Sequence, residues 1–435
     1  MLEPTRYYYR RRRGRGAVAA ARRLPTVAAM DRAKWGDLPE NVLLGFTACL
    51  PCRADRVRMA CVNRQWRAAV REGPRPPPPA PQLPPLPPQL PWLIFPSSAT
   101  PSFYSWIGRT SHPLPLPPDV RVARFCGSSD GGWFVLALDS SHRYALYNLN
   151  SGHRVELPPG IVSPSGKQFP LVARFATLSA SPPTPSSSPR PYMLAAVVLV
   201  SRRLDVAFWV QGSKCWFPHR GPRLNQPQDV VYYNGGFYFV TADEGVVVYW
   251  PGYGRLTNNQ MRMRRVEYNM LRRDDYLEDM GFIGGNGSIT RYLVESRGQL
   301  LMVARYIYNE GGTEVLRVFR FHVMPLTPAA AISGRPRATW LPVDYLEGRM
   351  LFVGKGCSRS FEAARFPGFE DAIIYFLDEG FVHDTTASAA VQERPRYSFT
   401  DMGRYEMDDM ASEAWPPVDR RPTTSDNAPP TWWFP

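Results

Sequence analysis

The chain has 435 residues, 46 of them proline and 33 glycine, with 13% aromatic side chains and a formal charge of +14. Length alone suggests two or three domains, and the abundance of rings, Pro and Gly favours short strands and many turns over a helical bundle. The longest apolar run, Tyr192–Val200, is nine residues. That is far short of the roughly 20 a spanning helix needs.

Residues 1–29 hold eight Arg and one Glu, so this tail carries half of the +14 excess. It reads as a basic disordered tail or a non-native extension. Met30 offers a second start, and an Arg-rich leader is also compatible with a transit peptide. Mixing Arg6 and Arg10–Arg13 with Tyr7–Tyr9 gives a competing functional reading, a nucleic-acid-binding or transcription-associated protein that uses the tail. With the other 406 residues sharing only +7, nucleic acid is not the expected partner. Six cysteines in so long a chain make no disulfide framework and suggest a reducing compartment.

The first foldable segment is 33–72. Pro39 stands where a helix begins, Val42, Leu43, Phe46 and Leu50 recur at helical spacing, and Leu50-Pro51 closes the helix. Arg53–Ala60 and Asn63–Arg71 read as two more short helices, with Val57, Cys61, Val62 and Trp66 as their apolar points. Cys61 is expected on the packed face as a small hydrophobe. Three helices in so few residues bury too little surface to be robust alone and call for a partner.

A linker follows at 73–89. Twelve prolines fall between Pro74 and Pro96, which forbids helix and favours polyproline II. Such a spacer would reach up to about 50 Å, and a PxxP ligand is its functional alternative.

From residue 90 the pattern is strand and turn. Gly132–Leu138 and Arg143–Leu149 flank Asp139-Ser140-Ser141, and Val230–Tyr233 and Phe237–Thr241 flank Asn234-Gly235-Gly236, a hairpin signal because Asn-Gly accepts positive φ. Val246–Trp250, Tyr292–Glu295, Gln299–Tyr306, Val315–Val323, Ala372–Leu377 and Phe381–His383 continue the series, and Ser179–Pro191 reads as a surface loop. Serial antiparallel hairpins over 90–435 fit a β-propeller of six to eight blades better than a sandwich. The Gly pairs at 131–132, 235–236, 284–285 and 311–312 keep no fixed period.

Catalytic and metal patterns are few. Cys49-x2-Cys52 has half of a zinc spacing but no nearby histidine. Gly354-Lys355-Gly356-Cys357-Ser358 lacks the first Gly of a phosphate loop, whose position holds Arg349. The expected reading of this segment is a tight turn between blades, with Cys357 and Phe361 packing. There is no GxSxG elbow, and the pairs Asp274-Asp275 and Asp408-Asp409 read as solvated surface. No catalysis, metal or cofactor is expected.

The order Leu38-Pro39, helix, Leu50-Pro51, Arg58, Cys61-Val62-x3-Trp66-Arg67 resembles the F-box. Leu351–Phe361, Phe366-Pro367-Gly368, Ile374–Asp378, Leu90–Phe95 and Thr431–Pro435 are similar to the KIB-type β-propeller of plant F-box proteins. The fold expected is therefore α+β and multidomain, a small three-helix F-box followed by a mostly antiparallel all-β propeller. The resemblance implies a non-catalytic, substrate-recruiting subunit of a Skp–cullin–F-box ubiquitin ligase in the nucleus or cytoplasm. Its partners would be a Skp-type adaptor, through it a cullin, and a protein substrate whose contacts cannot be assigned to particular residues. Leu38, Pro39, Val42, Leu43, Phe46, Leu50 and Pro51 would form the adaptor-facing surface, with Val62 and Trp66 bracing it from behind. Thr431–Pro435 would seal the ring by pairing the two chain ends.

Overall fold

The computed structural model describes residues 38–72, 88–96, 100–138, 143–162, 166–183, 191–200, 203–219, 221–252, 263–271, 288–310, 316–332, 335–377, 401–416 and 429–435. The basic tail 1–29, most of the proline linker, Asp139–Ser141, the glycines at 284–285 and 311–312, Asp274-Asp275 and Phe381–His383 lie outside the described residues. The chain divides into two units, residues up to Cys49 with Arg56–Pro84, and Leu50–Asp55 with Pro85–Pro435.

The smaller unit is helical. It holds helix α1, Glu40–Cys49, helix α2, Arg53–Ala60, from Arg56 onward, and helix α3, Arg64–Glu72. Pro39 precedes α1 and its carbonyl accepts the N–H groups of Val42 and Leu43 at 3.0 and 3.2 Å. Asn63 caps α3, its Oδ1 accepting the Trp66 N–H at 2.9 Å. Gln65 Nε2 donates to the Leu38 carbonyl at 2.7 Å, tying α3 to the entrance of α1. Cys61, expected on a packed face, is exposed because α2 ends one residue before it.

Leu50–Asp55 pack with the larger unit. Cys52 and Ala54 join Trp92, Ile94 and Phe103 in one buried cluster, and the Cys52 Sγ lies 3.1 Å from Ser105 Oγ. Gln89 clamps the segment, accepting from Arg53 N at 2.8 Å and donating to Pro51 O at 2.7 Å.

That larger unit is a six-bladed β-propeller. Blade 1 has Trp92–Phe95, Ser102–Ser105 and Thr110–Pro113, and takes Thr431–Trp433 as its innermost strand. Blade 2 runs from Arg124 to Leu157, blade 3 from Val172 to Pro218 and blade 4 from Pro227 to Glu267, each with four strands. Blade 5 holds Ser288–Trp340 with Asn269-Met270 added at its outer edge, and blade 6 holds Arg349–Ala414. Among the described residues pairing is antiparallel except for Asn269-Met270 on Arg337-Ala338, Leu351–Val353 on Ile374–Phe376, and the single bridge between Ile161 and Trp216. Among the described residues no helix is long and apolar enough to cross a membrane.

The ring is held by six buried clusters, one at each junction between neighbouring blades. A strand turns alternate residues to opposite faces, so a blade in the ring must be apolar on both. In Met193–Val200, Leu194, Ala196 and Val198 pack towards blade 2 while Ala195 and Val197 pack towards blade 4. This is why the strand reads as an unbroken apolar run.

Closure uses the same alternation. Trp433, Trp432 and Thr431 pair with Trp92, Leu93 and Ile94, so the two tryptophans point to opposite neighbours. Trp432 packs on blade 6, 5.2 Å from the Phe352 ring, and donates its Nε1–H to Val353 O at 2.9 Å. Trp433 packs on the blade 2 side, edge-on to Trp92 at 4.7 Å.

Candidate functional site at the channel mouth

The inner strands of the blades surround a central axis and all begin at the same end of it. There the ring leaves a cavity of about 360 Å³, to which every blade contributes. Arg124 comes from blade 2, Arg174 from blade 3, Gln228 from blade 4, Thr290 from blade 5, Lys355 from blade 6 and Thr431 from blade 1. The volume sits at the small end of the range for ligand pockets.

Three of these strands carry an irregularity at the same place. Pairing slips between Phe125 and Gly127, between Ala173 and Phe175, and between Pro227 and Asp229. The residues left over are Cys126, Arg174 and Gln228, and all three line the cavity. A bulge gives up local ladder pairing and re-aims one side chain, and bulges concentrate beside functional sites.

The floor is the Gly354–Ser358 turn. Expected between blades, it instead joins two strands within blade 6, Arg349–Val353 and Arg359–Glu362, and reaches the axis. Gly356 has φ +68, and a Cβ there would stand 2.5 Å from the Ala176 carbonyl oxygen of blade 3; a Cβ added to Gly127 of blade 2 would stand 2.0 Å from the same oxygen. Only glycine permits both the left-handed conformation and that approach. Ser358 Oγ donates to Gly354 O at 3.0 Å and closes the turn. Cys357 is buried and Phe361 packs in the cluster between blades 6 and 1, as expected.

Asp229 fastens the turn from blade 4. Its carboxylate accepts from Val230 N at 2.8 Å, from Leu293 N of blade 5 at 2.7 Å and from Gly356 N of blade 6 at 2.7 Å. The residue is fully buried, and burial pushes its carboxyl up to about 7 against the opposing pull of Lys355 and the three N–H donors. Lys355 Nζ donates to Arg291 O at 2.8 Å and lies 4.8 Å from the centre of the Tyr292 ring. Blades 4, 5 and 6 are thus tied at the axis by one carboxylate and one ammonium.

The residues expected to dock an adaptor are distributed differently. Pro39, Val42, Phe46 and Pro51 are exposed, and Leu38, Leu50 and Trp66 are half-buried. Leu43, expected on the docking surface, is fully buried. It shares the inward stripe of α1 with Thr47 at four-residue spacing, whereas Val42 and Phe46 form the next stripe round. Val62, expected to brace from behind, is exposed because α2 has already ended. Among the described residues no group of three or more His, Cys, Asp or Glu is placed to hold a metal ion.

Several of the channel-mouth residues were not singled out by their sequence. Arg124, Arg174, Gln228 and Thr290 carry no motif, and the bulges that aim two of them exist only in the strand register.

A ring of six blades closed by its C-terminal strand defines a propeller scaffold, a fold that serves protein interaction. Residues 103–406 match the family model of the KIB1-4 beta-propeller. That is well over half of the chain, which belongs to this family. No curated protein matches it. Among solved structures it is similar to the N-terminal domain of Nup159, at 12% identity over 58% of each chain with a TM-score of 0.28. A levansucrase variant from B. megaterium matches at 10% identity over 41% of this chain and 59% of that one, with a TM-score of 0.26. The chain spans less than two thirds of the length of either structure.

Proposed function

We propose that this protein is the substrate-recruiting, non-catalytic subunit of a Skp–cullin–F-box ubiquitin ligase of a plant cell, acting in the nucleus or cytoplasm. The helical unit docks a Skp-type adaptor and, through it, a cullin. The propeller recruits the protein to be modified. The observation that carries the reading is the exposure of Val42, Phe46, Val57 and Val62, at 37, 43, 52 and 56%, on a unit of only three short helices. Large apolar side chains left in water on so small a unit mark an interaction surface. The spacing of Leu38-Pro39, Leu50-Pro51 and Trp66, which resembles the F-box, supports the choice of partner, and membership of a propeller family with an interaction fold supports the recruiting role.

Val42 and Phe46 share one face of α1 and are exposed, so Val42→Asp with Phe46→Asp leaves the fold intact. Each buried anchor at an interface contributes about 1–3 kcal/mol, so the double variant should bind the adaptor about a hundredfold more weakly. Capture of a purified Skp-type adaptor by the full chain, wild type against variant, reads this directly. Undiminished capture by the variant, or none by the wild type, removes the reading.

A further inference from the structure

The cavity at the channel mouth has a chemistry that adaptor docking does not use. Its described lining includes Arg124, Arg174 and Lys355 and no carboxylate. Gln228, Thr290 and Thr431 add neutral hydrogen-bonding groups. Five of these six residues are half-buried and line an open cavity, Thr431 being the buried one, so a solute can reach them. Two of the cations are held in place, Arg124 by donating to Ala173 O and Lys355 by its bond to Arg291 O. The third, Arg174, sits on a bulge that aims it inward. The carboxylate beneath the floor, Asp229, is fully buried and already accepts three N–H groups.

We propose that this cavity binds the phosphate group of a ligand, gripped by Arg124, Arg174 and Lys355. A phosphate presents several oxygens to donors converging from different directions, and a guanidinium matches two of them at once. Cations fixed before binding lose little entropy on contact. The cavity has room for a phosphate and the group that carries it, and none for a folded domain. That group is either a free phosphorylated small molecule or a phosphorylated side chain of a protein, since both offer the same chemistry at the mouth. The proposal stands whether or not the helical unit docks an adaptor.

Isothermal titration of the full chain at fixed ionic strength tests it, with pyrophosphate as one probe and a phosphoserine peptide beside its unphosphorylated twin as the other. Saturable binding of at least one phosphorylated probe is expected, with no binding of the unphosphorylated peptide. A tighter pyrophosphate identifies a small molecule as the source, and a tighter phosphopeptide identifies a side chain. Arg124→Gln and Arg174→Gln should each weaken binding about tenfold or more, the loss of one charge-assisted contact. Arg174→Lys should keep part of the affinity, and Arg203→Gln, exposed and away from the cavity lining, should change nothing. Melting curves establish that each variant is folded. Absence of saturable binding by the wild type for every probe overturns the proposal, as does binding that survives both glutamine substitutions in folded protein.

Discussion

Asp229 joins three blades at the axis, and its replacement is the most direct probe of how the ring is held. Asp229→Ala leaves the N–H groups of Val230, Leu293 and Gly356 without their acceptor. Each orphaned donor costs about 1–3 kcal/mol, and relief from burying a charge offsets part of the sum. A net loss of about 3 kcal/mol is expected. The pH dependence carries a sharper signature. The carboxyl is pushed up to about 7 in the fold, from an ordinary value of 3.8, so folding takes up a proton between those values. The stability contributed by that proton is complete below about pH 4 and is lost as pH rises through about 7. The change amounts to a few kcal/mol. Asp229→Asn cannot titrate, and its amide sets a donor against one of the three N–H groups. It should be less stable than the wild type at pH 5, and the gap should narrow towards pH 8. Urea unfolding followed by tryptophan fluorescence at several pH values measures both effects. Parallel pH profiles for wild type and Asp229→Asn, or an unchanged urea midpoint for Asp229→Ala, would refute the reasoning.

Ending the chain at Pro430 removes the innermost strand of blade 1 with Trp432 and Trp433, which are 0 and 5% exposed. Losing two such rings costs several kcal/mol, so the truncated chain should melt well below the full one or aggregate. A truncated chain with the normal melting temperature would show that the strand does not close the ring. Gly356→Ala forces a Cβ against the Ala176 oxygen at positive φ, whereas Gly348→Ala meets positive φ of +84 with nothing within 4 Å. The second should cost about 1 kcal/mol and the first distinctly more in the same denaturation assay; equal losses would mean that the floor of the cavity yields without resistance.

Much of the fold is legible in the residues because the physics that makes it is local. Pro39, Leu50-Pro51 and Asn63 punctuate three helices whose bounds follow from capping and from the missing proline N–H. Val246–Trp250 reads as a strand because both its faces are covered in the ring. The closing Thr431–Trp433 is legible from two large rings that must be buried somewhere, although not their division between two neighbours, which depends on pairing with Trp92–Ile94. The blade count is less legible, since the inner strands begin at Arg124, Val172, Pro227 and Ser288, and each blade consumes more chain than the one before. The site is the least legible part. Gly354–Ser358 announces a turn, but its contacts are with Ala176, Asp229 and Arg291, far away in sequence. Leu43 is buried because one residue of helical phase separates an inward stripe from an outward one, and Val62 is exposed because α2 stops at Ala60.

The innermost strand of blade 1 has a consequence for how the molecule is made. The end of Trp92–Phe95 leaves the ribosome 336 residues ahead of Thr431, the first residue of the strand that covers it. At about 10 residues per second the gap lasts roughly half a minute. For that time the nascent chain carries an open edge bearing tryptophan, leucine, isoleucine and phenylalanine, while blades 2 to 6 emerge and stack in order behind it. Ring closure therefore waits until Thr431–Trp433 has emerged, and it leaves the growing polypeptide dependent on whatever shields that edge until then.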